Sequence, residues 1–274
     1  MNLIKRRPTT AYFALAFLFS WLLAFLMLAR YNGQLDLPAW LHYLVAWGPA
    51  AAAVVVTGLS GGRAGLGDLA RRLTRWQIGW TNALLAVGSP LLLLALAVLV
   101  SWAVGGQMPD LTQLGVVDYL GQPGILAALL VWIFSFGLGE EIGWRGFAQH
   151  HLEPERGFLL TTLLIGVIWA FWHIPFFFYK DTFMAMGLVG FPLFVVTILP
   201  GAIVLGWLYS RTHSLLAVGL WHGLFDFATA SAVDGGTVSM VVSMGVMVWA
   251  ALIVIGRLRA ASSPVARREP AAQR

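Results

Sequence analysis

Gly139-Glu140-Glu141-Ile142-Gly143-Trp144-Arg145-Gly146 follows an uncharged apolar run, residues 125–138, and its reading decides the fold. Two adjacent carboxylates and an arginine stand where a lipid-facing segment would carry Leu or Val. An ionisable side chain inside a bilayer costs a few kcal/mol or more, so it faces protein interior and normally has work there. Glu141 and Arg145 are four apart and meet on one helical face, whereas Glu140 points about 100° away. The spacing therefore predicts a braced carboxylate, Glu141 with Arg145, and an unbraced one, Glu140.

The rest of the chain supports a membrane setting. Of 274 residues, 59% are hydrophobic and 11% charged, against about a quarter charged in ordinary soluble domains. The expected fold is all-α, a polytopic membrane bundle. With no cysteine, disulfides, thiol catalysis and iron–sulfur clusters are excluded. The net charge of +5 is spread between apolar runs and reads as topology, with no nucleic-acid partner.

Apolar runs at 12–29, 41–59, 83–104, 125–147, 158–179, 187–209, 215–233 and 238–255 predict eight transmembrane helices, each near the ~20 residues a bilayer needs. The first run is longer than a signal-peptide core and is read as a retained anchor. With both termini cytoplasmic, Lys5, Arg6, Arg7, Arg63, Arg71, Arg72, Arg75, Arg145, Arg156, Arg211, Arg257, Arg259, Arg267, Arg268 and Arg274 fall inside. That leaves only Arg30 and Lys180 of the 17 basic residues outside, the asymmetry expected of positive-inside topology. Residues 60–80 read as a basic, Gly-rich loop with a short interfacial helix over 69–76. The outside loop 105–123 carries only Asp110 and Asp118 as charges. Trp40, Trp80 and Trp102 read as interface anchors.

The organisation expected is one membrane domain, 1–274. It divides into three N-terminal helices with their loops (1–123), a catalytic core (124–232), a last helix (233–259) and a disordered tail (260–274). Intramembrane ionisable residues concentrate in the core. His173 lies in Trp169-Ala-Phe-Trp-His173-Ile-Pro175, and Trp221-His222-Gly-Leu-Phe-Asp226 places His222 and Asp226 on one helical face. A rise of about 1.5 Å per residue puts Glu140 and His222 roughly 10 Å, Asp226 about 16 Å and His173 about 22 Å from the cytoplasmic helix ends. Those depths suit one polar pocket. Gly139 and Gly143 allow a neighbouring helix close approach, and Pro175 predicts a kink just beyond His173. Taken singly, the same residues have plain readings. One buried histidine is often an interhelical hydrogen-bond donor, His150 and His151 read as a solvated helix end, and His42 and His213 lie in or near loops.

Glu-Glu-x-x-x-Arg at 140–145, an aromatic-x-x-x-His ending at His173, and His-x-x-x-Asp at 222–226 together resemble the CPBP family. These are the CAAX-protease and bacteriocin-processing membrane proteins, also called Abi, which include the Ras-converting CAAX endopeptidases. The resemblance runs over about 125–233, and the family's eight-helix architecture agrees with the span count. It implies a hydrolase working inside the membrane, an endopeptidase in which Glu140 activates water, His173 orients it, and His222 with residue 226 stabilises the oxyanion. Glu141 and Arg145 are then structural support. This chain departs from the family at Trp169, where Phe is usual, and at Asp226, where the prenyl-protein endopeptidases have Asn.

An ionised Asp226 donates no hydrogen bond, so it is protonated, or orients His222, or belongs to a metal site. No cofactor is favoured. The alternative is zinc on His173, His222 and a carboxylate, Asp226 or Glu140, with one position open for water. The partners implied are the lipid bilayer and a membrane-associated peptide or protein substrate, lipidated or not, in the cytoplasmic (plasma) membrane. Two other functions use the same residues. A membrane scaffold or immunity protein would use the polar cluster for packing, and a proton-coupled transporter would use the buried Glu and His.

Overall fold

A computed structural model describes residues 2–114, 119–120, 124–230 and 236–262. Among these residues the regular secondary structure is all helical, with no strand. Seven helices are long and apolar enough to cross a membrane. They are α1 (Pro8–Tyr31), α2 (Ala39–Leu73), α3 (Trp80–Gly105), α4 (Ile125–Arg156), α5 (Phe158–Phe178), α6 (Leu188–Thr212) and α8 (Thr237–Ala260). Between the last two lies α7 (Leu215–Thr229), apolar but shorter. Its fifteen residues rise only about 22 Å, against a hydrocarbon core of about 30 Å. All eight apolar runs are thus helical, and seven of them have the length of a span. Asp118, most of the tail 260–274 and the far end of the seventh run at 231–233 lie outside the described residues.

Large apolar side chains cover the outer surface. Leu18, Leu22 and Phe25 on α1, Leu92 and Leu99 on α3, and Met240, Met244 and Leu252 on α8 are exposed, as a lipid-facing surface requires. Trp40, Trp80 and Trp102 are exposed as well. The interior instead carries Trp132, Trp144, Trp169, Trp172 and Trp221, so tryptophan here does more than mark interfaces.

Residues 60–80 differ from the expected loop. The helix continues to Leu73 and breaks once, at Gly62 (φ 59°, ψ −152°). Only a residue without Cβ takes that conformation cheaply, so one glycine turns the helix and the basic stretch beyond remains helical. Arg72 then reaches back to donate to the Gly146 carbonyl (2.6 Å) and to Tyr209 (2.8 Å), which fixes this segment to α4 and α6.

Three features position the polar residues. First, α4 departs from α-helical geometry twice, with π-helical turns at Trp132–Leu138 and Trp144–Gln149 on either side of Gly139–Gly143. Such widened turns change the angular spacing of side chains and recur at functional sites. Second, glycines bring helices into backbone contact. A Cβ added at Gly143 would lie 2.5 Å from Pro49 Cβ and Tyr12 Oη, and one at Gly139 would lie 2.9 Å from the Ala46 carbonyl oxygen. Across from these, a Cβ at Gly223 would lie 2.5 Å from Ile133 Cα, and Gly137 abuts the backbone of Gly219. The Gly-x-x-x-Gly pair on α4 therefore receives α2, while α7 packs on the turn before it. Third, the α-helical part of α5 ends at Trp172, and Ile174–Phe178 continue as a 3₁₀ helix. Pro175 removes the amide an α-helix would need there, and Trp21 Nε1 donates to the Trp172 carbonyl at 3.0 Å.

Candidate active site

Glu140, Glu141, Arg145 and His222 are all buried, between 0 and 3% exposed. Four charged or titratable side chains with so little contact with solvent must satisfy one another. Glu141 Oε1 accepts from Arg145 Nη1 at 2.8 Å, so the expected i,i+4 brace forms. Arg145 also donates through Nη2 to the Ala202 carbonyl (3.3 Å) and lies 5.3 Å from the centre of the Trp169 ring. Glu141 therefore anchors α4 to α6 through its arginine.

The same Oε1 lies 2.9 Å from His222 Nδ1. This is a close electrostatic contact, since Nδ1 is out of line for a good hydrogen bond. On the other edge of the ring, Nε2 lies 3.4 Å from Asp226 Oδ2. The imidazole thus sits between two carboxylates, one on its own helix and one on α4. The brace is also a partner of the third-motif histidine, which spacing along the chain does not reveal.

Glu140 is arranged differently. Its Oε2 accepts two indole N–H groups, from Trp144 at 3.2 Å and from Trp169 at 2.5 Å. Among the described residues no hydrogen bond ends on Oε1. Trp144 is four residues on along α4, whereas Trp169 comes from α5. A phenylalanine at 169 would fill similar space without a donor, so this departure from the family pattern changes the chemistry at Glu140.

His173 donates from Nδ1 to the Trp169 carbonyl at 2.7 Å. A carbonyl only accepts, so Nδ1 carries the proton and Nε2 keeps a lone pair. The ring is enclosed by Trp172, Phe176, Phe183 and Phe194. Trp169 links the cluster, with its ring 5.8 Å from that of His173 and 5.2 Å, edge on, from that of His222. The fold thus gathers Glu140, Glu141, Arg145, His222 and Asp226 directly, and brings His173 to them through Trp169.

The residues considered as zinc ligands are His173, His222, Asp226 and Glu140. No three His, Cys, Asp or Glu side chains among the described residues form a metal-binding group. His222 has a carboxylate near each nitrogen, while His173, with Nδ1 on a backbone carbonyl, keeps Nε2 open. Of the other histidines, His151 Nδ1 bonds the Phe147 carbonyl (2.8 Å) within α4, which runs on to Arg156. His42 departs from its loop reading. It is buried, with Nδ1 3.0 Å from Tyr179 Oη and Nε2 without a partner.

Residues 122–228 match the family model for the type II CAAX prenyl endopeptidase, Rce1-like. The matched segment contains every side chain of the cluster just described. Through this segment the chain is similar to the CAAX-protease (CPBP) family. It is similar to the CAAX prenyl protease 2 of Methanococcus maripaludis, 27% identical over 137 residues, or 48% of this chain. That match spans about half, 49%, of the relative's length. Seven apolar helices of span length, with this similarity to a membrane protease family, make this an integral, multi-pass membrane protein.

Proposed function

We propose that this protein is an intramembrane endopeptidase of the CAAX-processing type, hydrolysing a peptide bond with water activated by Glu140. The observation that carries the reading is the asymmetry of Glu140. It is a buried carboxylate whose hydrogen bonds among the described residues both end on Oε2, from neutral indoles, whereas Glu141, which also keeps one oxygen free, is committed to the Arg145 charge. An oxygen left unbonded in a dry site is a base in position for water.

In the reaction, Glu140 Oε1 takes a proton from water as the oxygen attacks the scissile carbonyl. His173 Nε2, the nitrogen with the free lone pair, accepts the other proton of that water as a hydrogen bond and so aims its oxygen. Charge developing on the carbonyl oxygen is met by His222 from the Nε2 edge. The 3.4 Å gap to Asp226 is long for a hydrogen bond, which leaves that edge available. Glu141 faces the ring from the Nδ1 side, and Asp226 stands at the margin of the Nε2 edge, an acid where relatives have Asn. Glu140 then returns its proton to the leaving amine. Donors held in place in a water-poor site are worth several kcal/mol to an oxyanion.

The substrate class follows by analogy with the relative's name, CAAX prenyl protease. It is a membrane-associated protein carrying a prenylated cysteine near its C-terminus. With the termini in the cytoplasm, as the charge bias predicts, the cluster lies in the cytoplasmic half of the bilayer, where such a C-terminus arrives. The test uses purified protein in nanodiscs and a farnesylated Cys-a-a-X peptide. Glu140→Ala, His173→Ala and His222→Ala should each abolish cleavage with the fold retained. Normal cleavage by Glu140→Ala would refute the assigned base. Comparing membrane-proteome C-termini between active and Glu140→Ala cells then identifies the natural substrate.

A further inference from the structure

We propose that Trp169 is a positioning residue that decides which oxygen of Glu140 faces water, an assignment that rests on Glu140 being the base. Both indole donors end on Oε2, and they come from different elements, Trp144 from α4 and Trp169 from α5. A carboxylate held by one donor can still turn about its terminal torsion, which is broad in energy. Two donors from separate helices on the same oxygen remove that freedom and hold Oε1 clear.

Trp169 is placed to do more than hold one group. Its own carbonyl accepts from His173 Nδ1, so a single residue orients both the base and the histidine that aims the water. Its ring also packs edge on against His222 at 5.2 Å and lies under the Arg145 guanidinium at 5.3 Å. The backbone link to His173 survives any side-chain change at 169, whereas the link to Glu140 needs the indole N–H. The two functions can therefore be separated by substitution.

Two variants test this. Trp169→Phe removes the donor and some volume. Replacement of Trp169 by 3-benzothienylalanine, through stop-codon suppression, keeps the bicyclic ring and removes only the N–H. For either, kcat on the farnesylated peptide should fall about tenfold, the scale of one hydrogen bond to a charged group. KM should stay within about twofold, because the interaction serves the chemical step. Tm should hold for the benzothienyl variant, which separates positioning from folding. A substrate-free measurement runs alongside. In ¹⁵N-indole-labelled protein, Glu140→Ala should move two indole N–H resonances upfield, and one of these should be missing from the benzothienyl variant. Unchanged kcat in the benzothienyl variant, with Glu140→Ala inactive, would overturn the positioning role and leave the base in place. Cleavage by Glu140→Ala would overturn the base itself. If the peptide is not cleaved at all, the indole spectrum decides, and no shift on Glu140→Ala would overturn the proposal.

Discussion

Glu141 Oε1 lies 2.9 Å from His222 Nδ1 while also accepting from Arg145 at 2.8 Å. One oxygen thereby ties α4 to α7 and, through the arginine's bond to Ala202, to α6. Breaking it strands a guanidinium that is 1% exposed. Removing one partner of a buried pair costs about 3–5 kcal/mol. Glu141→Ala should therefore lower Tm sharply and reduce the amount of folded protein, whereas Glu140→Ala, which strands two neutral indole donors but no charge, should lower it less. Equal melting temperatures for the two variants in nanodiscs would contradict this division of labour between adjacent carboxylates.

Asp226→Asn separates the roles open to that residue. If Asp226 only orients His222, asparagine can do the same through its amide, and cleavage should persist within about tenfold of wild type. A loss beyond a hundredfold, together with metal that co-purifies with wild type and is absent from the variant, would favour a metal-bound carboxylate. Elemental analysis of protein purified without chelator provides the second readout.

The glycine contacts predict a graded packing series. Gly143→Ala and Gly223→Ala each place a methyl 2.5 Å from neighbouring atoms, on Pro49 and Tyr12 in one case and on the Ile133 backbone in the other. Overpacking of this kind costs about 1–3 kcal/mol or more where backbone must move. Gly256→Ala on α8 meets nothing within 4 Å and should be neutral or mildly stabilising, since alanine favours helix by about 1 kcal/mol. Thermal unfolding of the three proteins gives the order directly.

Tyr179→Phe tests the buried His42. It removes the partner of Nδ1 in a ring whose Nε2 already lacks one. Leaving a buried polar atom unsatisfied costs about 1–3 kcal/mol, so Tm should fall. The double variant His42→Phe with Tyr179→Phe should recover part of that loss. No recovery would mean that the Tyr179 hydroxyl acts through some contact other than His42.

Much of this protein is written locally. Long apolar runs require helices because hydrocarbon offers no partner for a free amide, and this alone gave the apolar helices, seven of which have the length of a span. The Glu141–Arg145 pair and the shared face of His222 and Asp226 follow from four-residue spacing. So does the end of the α-helix near His173, because Pro175 lacks an amide wherever it is placed. What spacing along one helix cannot carry is which groups meet between helices. The contact of Glu141 with His222 depends on how closely α7 lies against α4, set by Gly137, Gly219 and Gly223. Trp169 read along the chain is one aromatic in place of another; only with α5 beside α4 does its N–H reach Glu140. His42 reads as near a loop because it stands at the start of the run 41–59, yet aromatic rings from distant parts of the chain close over it. Secondary structure and the inventory of polar groups were legible in the sequence because backbone bonding and i,i+4 contacts are local. The choice of partner for each carboxylate belongs to the tertiary structure, because in a water-poor interior a buried charge takes the nearest donor that packing supplies.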